Sequence, residues 1–472
     1  MKRALLSFTA ILITLGVYAQ VENKEHTLLV QSGTLVSTGD QVPFWLQMNQ
    51  LGVYDDVDSF QQLFILSWER LPIKYSPEKI QLSYGVNVMS RLSNDADSRF
   101  NEYWGRLHLK KWYLHAGAKS EPVFANGLSL TNGNLFLSNN ARPMPRVEFG
   151  TQNLQPFNNG WLTKFAFDFQ FAEYFLLDDR YVEDAHLHHK RLDVSYAIDS
   201  QWMITAGIDH WVFWGGNSPQ YGEMPGSEDY FRYILGKTGS SSAPTTDQMN
   251  VAGNQLGQYV ASVTHTNDDY QLKFYWEHLW EDRSGIQFEN APDGLLGVYW
   301  QKKAGQKLLE SMLIEYVNTR DQSGQHHKFT PDPENPEYQE GEGQDNYFNH
   351  GVYHSGFVSY GRMIGLPLLV PDIDENGVSS GFKNTRLWAI HHGMNGWLSP
   401  SLSWKTLLSY SKHYGLYGQE YASPKQFLSL AAQVGYAFPQ KPVSCSLKLA
   451  YDKGSVLNSA FGAEFKLAFR IK

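Results

Sequence analysis

The chain has 472 residues and carries 39 Lys and Arg against 48 Asp and Glu, a formal net charge of −9. This acidic balance argues against a nucleic-acid-binding protein, which would need a basic patch. Charged residues make up 18% of the chain, and beyond residue 20 no run approaches the ~20 apolar residues of a membrane helix. A helical membrane protein is therefore excluded. The aromatic content of 14%, without any long apolar run, instead suits a barrel whose outer face contacts lipid.

The N-terminus has the three parts of a secretory signal peptide. Lys2 and Arg3 form a positive start, residues 4–16 are almost wholly apolar, and Ala19 offers a small residue for cleavage. A transmembrane anchor is disfavoured because the apolar stretch is too short and no charged stop follows it. We therefore expect residues 1–19 to be a signal peptide and residues 20–472 to form one exported domain.

The single cysteine, Cys445, excludes an internal disulfide framework and a cysteine-based zinc site. It lies among alternating residues near the C-terminus, so we interpret it as a small apolar side chain. An exported chain without disulfides must be stabilised by its fold.

Short segments of alternating apolar and polar residues run along the chain, and this alternation predicts β-strands. In chain order they are 27–37, 59–71, 79–91, 99–109, 111–119, 143–150, 161–171, 270–277, 402–410, 428–438, 443–451 and 461–471. The last is the clearest, because Phe461, Phe465 and Leu467 share one face while Glu464 and Lys466 lie on the other. Inward Lys, Asp, Glu and Gln side chains would be costly in a dry core, so we expect a water-filled lumen.

Connections of two lengths alternate between these strands. Short turns are predicted at Pro439–Pro442, Ser399-Pro400, Lys303–Gln306, Asn267–Asp269 and Asp199-Ser200. Long loops are predicted at 175–185, 211–256, 280–293, 320–384 and 413–425. Short turns on one side and long loops on the other are typical of bacterial outer-membrane barrels. These turns and loops delimit six further strands beside the twelve segments above. The pattern thus predicts an all-β, transmembrane antiparallel outer-membrane β-barrel of about eighteen strands, with long extracellular loops partly plugging the lumen.

Catalytic and metal-binding motifs are weak in this sequence. It contains no G-x-S-x-G, H-E-x-x-H or P-loop motif. The stretch Asp372–Gly377 resembles the start of a calcium loop, but the closing carboxylate would fall at Lys383, so the match fails. We therefore expect no cofactor and no catalytic residues.

Histidines cluster at His186, His188 and His189, just before Lys190 and Arg191. A shared metal is possible in principle, but we favour contacts with loop backbone or the membrane interface. The two basic residues are candidates for binding lipopolysaccharide phosphates. His326-His327 and His391-His392 are interpreted in the same way.

Residues 209–236 are the most suggestive stretch for ligand binding, because aromatic and polar side chains occur close together there. Trp and Tyr rings pack on the apolar faces of sugars, while Asp, His and Arg bond hydroxyl and carboxylate groups. The candidate contacts with polysaccharide are Asp209, His210, Trp211, Trp214, Tyr221, Arg232 and Tyr347. The alternative, which we favour for the loop itself, is an aromatic girdle followed by a segment folded into the lumen as a plug.

Several motifs, in one order, resemble the Wzi-like capsule assembly proteins of the Bacteroidetes type. They are Pro43-Phe44-Trp45 with Asn49 and Gly52, Ser138–Pro143, Asp179–Val182 with His186–Lys190, Trp214-Gly215-Gly216 with Gly222 and Pro225, Asp345–His350, and Tyr410-Ser411.

The resemblance implies an eighteen-stranded, occluded barrel in the bacterial outer membrane. It also implies a non-enzymatic surface lectin that binds exported capsular polysaccharide and helps to attach or organise it. Some relatives carry a small helical plug, and this sequence contains no matching helical stretch. Capsular or surface polysaccharide, outer-membrane lipid and lipopolysaccharide are the expected partners, and we favour a monomer.

Two other functions stay open from the residues alone. A porin for small sugars fits the wet inner face equally well, and loop closure over the channel would distinguish it. An outer-membrane hydrolase would need a nucleophile, such as a Ser–His pair at the outer leaflet, and the sequence assembles none.

Overall fold

The computed structural model describes residues 26–39, 41–72, 79–249, 251–303, 305–325, 327–331 and 339–471. The predicted signal peptide at 1–19 and His326 lie outside these residues. Within them, no helix is both long and apolar enough to cross a membrane.

Eighteen antiparallel strands close into one barrel. They are β1 His26–Thr38, β2 Phe60–Arg70, β3 Ile80–Leu92, β4 Asp97–Leu109, β5 Trp112–Ala118, β6 Pro145–Thr151, β7 Phe165–Phe175, β8 His186–Ala197, β9 Trp202–Trp214, β10 Asn254–Thr266, β11 Tyr270–Trp280, β12 Gly294–Lys302, β13 Ser311–Asn318, β14 Arg386–Ser399, β15 Leu402–Leu416, β16 Gln419–Ala437, β17 Val443–Gly454 and β18 Ala460–Ile471. A two-residue piece, Gln155–Pro156, pairs with β7 beside β6. The barrel closes where β1 pairs with β18, from Leu28 opposite Ile471 to Thr38 opposite Phe461. The predicted fold class is confirmed.

Helices in the described residues are one turn long. They are α1 Phe44–Gln47, α2 Tyr230–Ile234, α3 Thr245–Met249 and α4 Arg283–Ile286, with 3₁₀ turns at Phe124–Gly127 and Gly160–Lys164. Three small antiparallel pairs lie outside the barrel wall. They join Asn217–Ser218 to Gly222–Glu223, His327–Pro331 to Gln339–Glu342, and Val358–Ser359 to Arg362–Met363.

The side chains of the wall alternate as the sequence predicts. In β18, Phe465 is 48% exposed and faces outward, whereas its neighbour Glu464 is 2% exposed and faces inward. Leu447 on β17, the partner of Phe465, is 47% exposed. A continuous apolar outer surface of this kind is stable only against lipid, because apolar patches of this extent are rare on soluble proteins.

Two predicted elements are wrong in their limits. The loop expected at 413–425 is a tight hairpin, since β15 ends at Leu416 and β16 begins at Gln419. Charged residues such as Lys412 and Lys425 interrupt the apolar alternation there, but the backbone pairing continues past them. The strand expected from residue 161 begins only at Phe165, because residues 160–164 form a 3₁₀ turn.

A loop of the protein enters the lumen from the long-loop end of the barrel. Residues 119–144 between β5 and β6, here called the lumen plug, reach down to the turn between β12 and β13. At the plug's tip, the side-chain amide of Asn126 donates hydrogen bonds to the Ser311 hydroxyl at 3.2 Å and to the Tyr299 hydroxyl at 3.3 Å. Residues 41–58 and 343–385 pack beside the plug, and Phe44, Leu130, Phe136 and Phe357 belong to one buried cluster with the inner wall.

The plug is held against the 343–385 segment by close backbone contact. Leu366 N–H donates to the Leu135 carbonyl at 3.1 Å, and a Cβ on Gly365 would stand 1.9 Å from that same oxygen. Only glycine fits at this approach.

We predict that Gly365→Ala displaces the plug locally and costs about 1–3 kcal/mol, because the added methyl group overlaps the Leu135 carbonyl. Hydrogen exchange should show faster opening of amides in residues 128–138. Gly105→Ala on β4 is the matched control, since a Cβ there meets no atom within 4 Å. Unchanged exchange in Gly365→Ala would contradict the tight packing described above.

Candidate functional site

Glu315 on β13 is the main anchor of the lumen plug. Its carboxylate is fully buried and accepts hydrogen bonds from the Ser129 hydroxyl at 2.6 Å and the Leu130 amide at 2.8 Å. It also accepts from the Tyr275 hydroxyl at 2.7 Å and the Thr131 hydroxyl at 3.3 Å. A buried carboxylate is tolerated only when its lone pairs are satisfied in this way.

Two further inward carboxylates bind the plug. Glu277 on β11 accepts from the Leu135 amide at 3.0 Å. Asp209 on β9 accepts from the Asn134 side-chain amide at 2.9 Å and from His189 Nε2 at 2.7 Å. The inward-facing carboxylates of Glu315, Glu277 and Asp209 therefore hold the lumen plug in place.

The lumen is accordingly only partly water-filled, in agreement with the prediction that long loops partly plug it, because much of the inner wall of β9–β18 packs against protein. A charged cavity of about 660 Å³ is left between the plug and the inner wall of β4–β8. Among its lining residues are Arg106, Glu148, Asp168 and Arg191. A second polar cavity, of about 460 Å³, lies between Asn126 of the plug and the inner wall of β14–β16, so the wet inner face predicted from the alternation includes both spaces.

Three of the predicted polysaccharide contacts are interior side chains. Trp211 is 0% exposed and stacks on His189, with ring centroids 3.7 Å apart. Asp209 binds the plug as described. Tyr347 is buried and its hydroxyl accepts from the Asn290 side-chain amide at 2.5 Å.

His210 and Trp214 lie on the opposite, outward face of β9, because side chains alternate along a strand. His210 Nε2 donates to Gln255 Oε1 at 2.7 Å. The Trp214 indole N–H donates to Glu173 Oε2 at 3.1 Å, and Tyr230 of α2 donates to the same carboxylate. Val212, also outward, packs in a small buried cluster with Tyr233 and Ile234 of α2.

The loop at 215–253, here called the outer-wall loop, therefore folds over the outside of the barrel. The expectation that this segment is a lumen plug is wrong. Aromatic content alone did not distinguish the two faces, because apolar side chains can cover the outer wall as well as fill the lumen. Tyr221 and Arg232 lie exposed on the outer-wall loop, and Arg232 is paired with Asp229 at 3.3 Å.

The histidine cluster is divided by the same alternation. His188 faces outward and donates to Glu173 at 2.5 Å, His186 stacks on Trp214, and His189 faces the lumen. Among the residues that the structure describes, no group of three His, Cys, Asp or Glu side chains is arranged to hold a metal.

Three Ser–His pairs lie within hydrogen-bonding distance: Ser83–His108, Ser409–His391 and Ser411–His413. All three serines are buried on the lumen side of the wall rather than at the outer leaflet. In the pair nearest the long-loop end, Asn384 Nδ2 donates to His413 Nδ1, so His413 Nε2 donates to Ser411. That imidazole cannot accept the serine proton, and the pair is not an activated nucleophile.

A different cluster opens at the long-loop end of the barrel. Four guanidinium groups line a cavity of about 380 Å³, here called the arginine pocket: Arg91 of β3, Arg99 of β4, Arg142 of the plug and Arg362 of the 343–385 segment. Asp55, Asp56 and Asp97 also line it. Positive side chains from four separate segments thus converge on one cavity.

Each arginine is positioned by local contacts, and Arg91 pairs with Asp55 at 3.5 Å. Arg99 donates to the Gly52 carbonyl at 2.6 Å and pairs with Asp97. Arg362 donates to the Tyr54 carbonyl at 2.6 Å. The Arg142 guanidinium lies over the half-exposed Tyr360 ring, 3.8 Å from its centroid. Burial lowers the pKa of the Arg362 guanidinium, although Asp56 and Asp55 oppose that shift.

Sequence reasoning did not select these arginines. Gly52 and Arg142 lie in two motifs of the family resemblance, Pro43–Gly52 and Ser138–Pro143, and the structure brings those motifs into contact. Gly52 has a φ of 61°, and a Cβ atom at this position would stand 3.3 Å from the backbone nitrogen of Arg142. Arg91, Arg99 and Arg362 had no sequence signal, because only the fold places them together.

The lipid-facing wall, the closed eighteen-stranded sheet and the lumen plug define a transmembrane β-barrel of the bacterial outer membrane. The chain belongs to the Wzi capsule assembly protein family, whose model matches residues 62–368. That match covers more than half of the chain and includes all four arginines of the pocket.

One solved structure with a TM-score above 0.5 has the same fold at low sequence identity. Wzi of Escherichia coli, described as an outer-membrane carbohydrate-binding β-barrel involved in group 1 capsule assembly, is 14% identical with a TM-score of 0.60. The alignment covers 97% of this chain and 86% of that one. OprD of Pseudomonas aeruginosa is 12% identical with a TM-score of 0.44 and 94% coverage of each chain. No curated protein sequence matches the chain.

Buried carboxylates join two loops at the same end of the barrel. The Asp345 carboxylate accepts a hydrogen bond from the Ser323 hydroxyl at 2.7 Å, and the Asp293 carboxylate accepts one from the backbone N–H of Gln322 at 2.8 Å. Burial raises the pKa of Asp345 to about 7, and the nearby Asp282 and Asp293 carboxylates add to the rise. Burial likewise raises the pKa of Asp293 to about 6.

These shifts predict that the contact between residues 319–325 and 343–347, here called the cap, loosens as pH rises. A carboxyl group whose pKa is raised in the folded state stabilises the contact between the two loops while it is protonated. This stabilisation is lost as the pH rises from the unfolded-state pKa near 4 to the folded-state pKa values of about 6 and 7. Protection factors of amides in 319–325 and 343–347 should fall about 10-fold or more from pH 5 to pH 8. Asp345→Asn should flatten the change, whereas Asp95→Asn, in an exposed turn, should retain it. A rise in protection with pH would contradict the assignment.

Proposed function

We propose that this chain is a non-enzymatic outer-membrane barrel that binds an acidic capsular or surface polysaccharide and helps to attach or assemble it at the cell surface. The observation that carries the proposal is the arginine pocket at the long-loop end. Family membership and the carbohydrate binding described for the E. coli relative support the general role.

The chemistry of the pocket favours an anionic sugar. Guanidinium groups bind carboxylate or phosphate through paired, charge-assisted hydrogen bonds. The exposed Tyr360 ring beside Arg142 provides an apolar face for a pyranose ring. The cavity of about 380 Å³ lies within the usual size range of ligand sites.

The seven contacts expected from sequence stay predictions. Tyr221 and Arg232 are exposed on the outer-wall loop and accessible to a polymer lying across the barrel mouth. Asp209, Trp211 and Tyr347 contribute by holding the plug and the cap, which position the 343–385 segment that carries Tyr360 and Arg362. His210 and Trp214 are engaged with the outer-wall loop.

The porin alternative requires an open lumen, and the plug and its buried cluster with the inner wall disfavour it. A hydrolase is disfavoured because the three Ser–His pairs are buried away from the outer leaflet. No cofactor, metal or nucleic acid enters the proposal, and a monomer is sufficient for it.

We predict that Arg99→Gln combined with Arg142→Gln weakens binding of a polyuronate about 10-fold or more, because two charge-assisted contacts are lost. Alginate is a suitable acidic probe and dextran the neutral comparison, with affinities measured by biolayer interferometry at two salt concentrations. Arg470→Gln, near the opposite end of the barrel, is the matched control. Arg232→Gln tests the sequence-derived contact separately.

Equal binding of alginate by the wild type and the double variant would overturn the assignment to the arginine pocket. Equal binding of dextran and alginate by the wild type would overturn the preference for acidic sugar.

A further inference from the structure

A second concave surface lies on the outside of the barrel, and the polysaccharide proposal does not use it. Two extracellular loops fold down over the wall: the outer-wall loop, and residues 281–293 between β11 and β12. The second loop is fixed where Phe288 stacks on His278 of β11, with ring centroids 4.4 Å apart. Between the two loops runs a groove of about 540 Å³.

The groove is mostly apolar and opens onto the lipid-facing surface. Its floor includes Leu192 of β8 and Ile208 of β9, each 43% exposed. Its sides include Leu235 of the outer-wall loop and Ile286 of α4, both exposed. Below Ile208, the outward face of β9 continues with the exposed Ile204, so the groove is continuous with the surface that contacts lipid chains.

Polar groups lie at the upper part of the floor. Lys190 lines the groove and donates to the Ile234 carbonyl, and the exposed Arg283 lies at its rim. His210 also lines it. Because Gln255 Nε2 donates to two backbone carbonyls, its Oε1 accepts the His210 Nε2 proton. His210 Nδ1 is then a buried acceptor, and within the described part of the chain it has no hydrogen-bond partner.

Two acidic residues, Glu281 and Asp282, also line the groove, beside the basic residues Lys190, Arg191 and Arg283. Asp282 Oδ1 accepts from the amide and the hydroxyl of Ser284. Burial raises the pKa of the Glu281 carboxyl well above its usual value, with Asp345 and Asp282 adding to the rise.

The depth of the groove matches the outer edge of the membrane. Trp202 at the short-turn end of β9 and His210 are eight residues apart, about 26 Å along the strand and ~20 Å along the membrane normal at a tilt of ~40°. The apolar band of such barrels is ~25 Å tall. Leu192 and Ile208 therefore lie within the acyl-chain region. His210 and Lys190, which are opposite each other in register, lie ~5 Å below the outer edge of the apolar band, a distance that a lysine side chain spans to reach the headgroups.

We propose that this groove is a specific site for a phosphorylated, acylated lipid of the outer leaflet. An acyl chain occupies the apolar floor over Leu192 and Ile208. Lys190 and Arg283 bind the phosphate of the headgroup. The site holds the outer-wall loop and the 281–293 loop together at the membrane surface, and it is independent of the arginine pocket.

Native mass spectrometry of the intact barrel in mild detergent tests this site, with hexa-acylated lipid A as the added probe. The wild type should retain one lipid A molecule. Ile208→Trp fills the groove and should reduce occupancy about 10-fold. Ile204→Trp makes the same change four residues further down the same outward face, outside the groove, and should retain the lipid. Arg283→Gln should weaken binding of lipid A but not of its dephosphorylated form.

Heat-modifiable mobility in SDS gels confirms that each variant is folded before it is compared. Equal retention of lipid A by the wild type and Ile208→Trp would overturn the proposal. Loss in both tryptophan variants would show a general lipid annulus, which also overturns it. Displacement of the lipid by inorganic phosphate alone would contradict the requirement for an acyl chain.

Discussion

The structure depends on the burial of inward carboxylates that must each find donors. Glu315, Glu277 and Asp209 lie on three strands of the inner wall, where an unpaired charge would cost several kcal/mol. The lumen plug supplies those donors from its backbone and short polar side chains. The same bonds fix the plug, so the barrel wall and the segment inside it stabilise each other, and removing one carboxylate would leave several buried donors unpaired.

A fixed plug has consequences at the barrel mouth. Arg142 lies near the C-terminal end of the plug, and the plug's contacts with 343–385 bring Arg362 and Tyr360 to the same cavity. Residues 41–58 add the carbonyls of Gly52 and Tyr54 that orient Arg99 and Arg362. The arginine pocket is thus built on packed segments, and side chains held in this way bind with a smaller loss of conformational entropy.

Much of the barrel could be predicted from the sequence, because period-two alternation and short turns are local signals. The placement of loops could not. Trp211 and Trp214 are three residues apart and were expected in one site, yet they lie on opposite faces of the wall, since each single step along a strand reverses the face. Both the lumen and the outer wall accept aromatic residues, so composition does not show which side a loop covers. The arginine pocket gathers residues from across the chain and has no local pattern.

Single-channel conductance in planar bilayers tests most directly the claim that the plug, held by inward carboxylates, closes the barrel. The wild-type protein should be silent, and replacement of residues 123–140 by a short Gly-Ser linker should give steady channels. Glu315→Leu should give intermittent openings, because the Ser129 and Leu130 donors lose their acceptor. Large, steady channels from the intact wild type would contradict the account and identify an open pore.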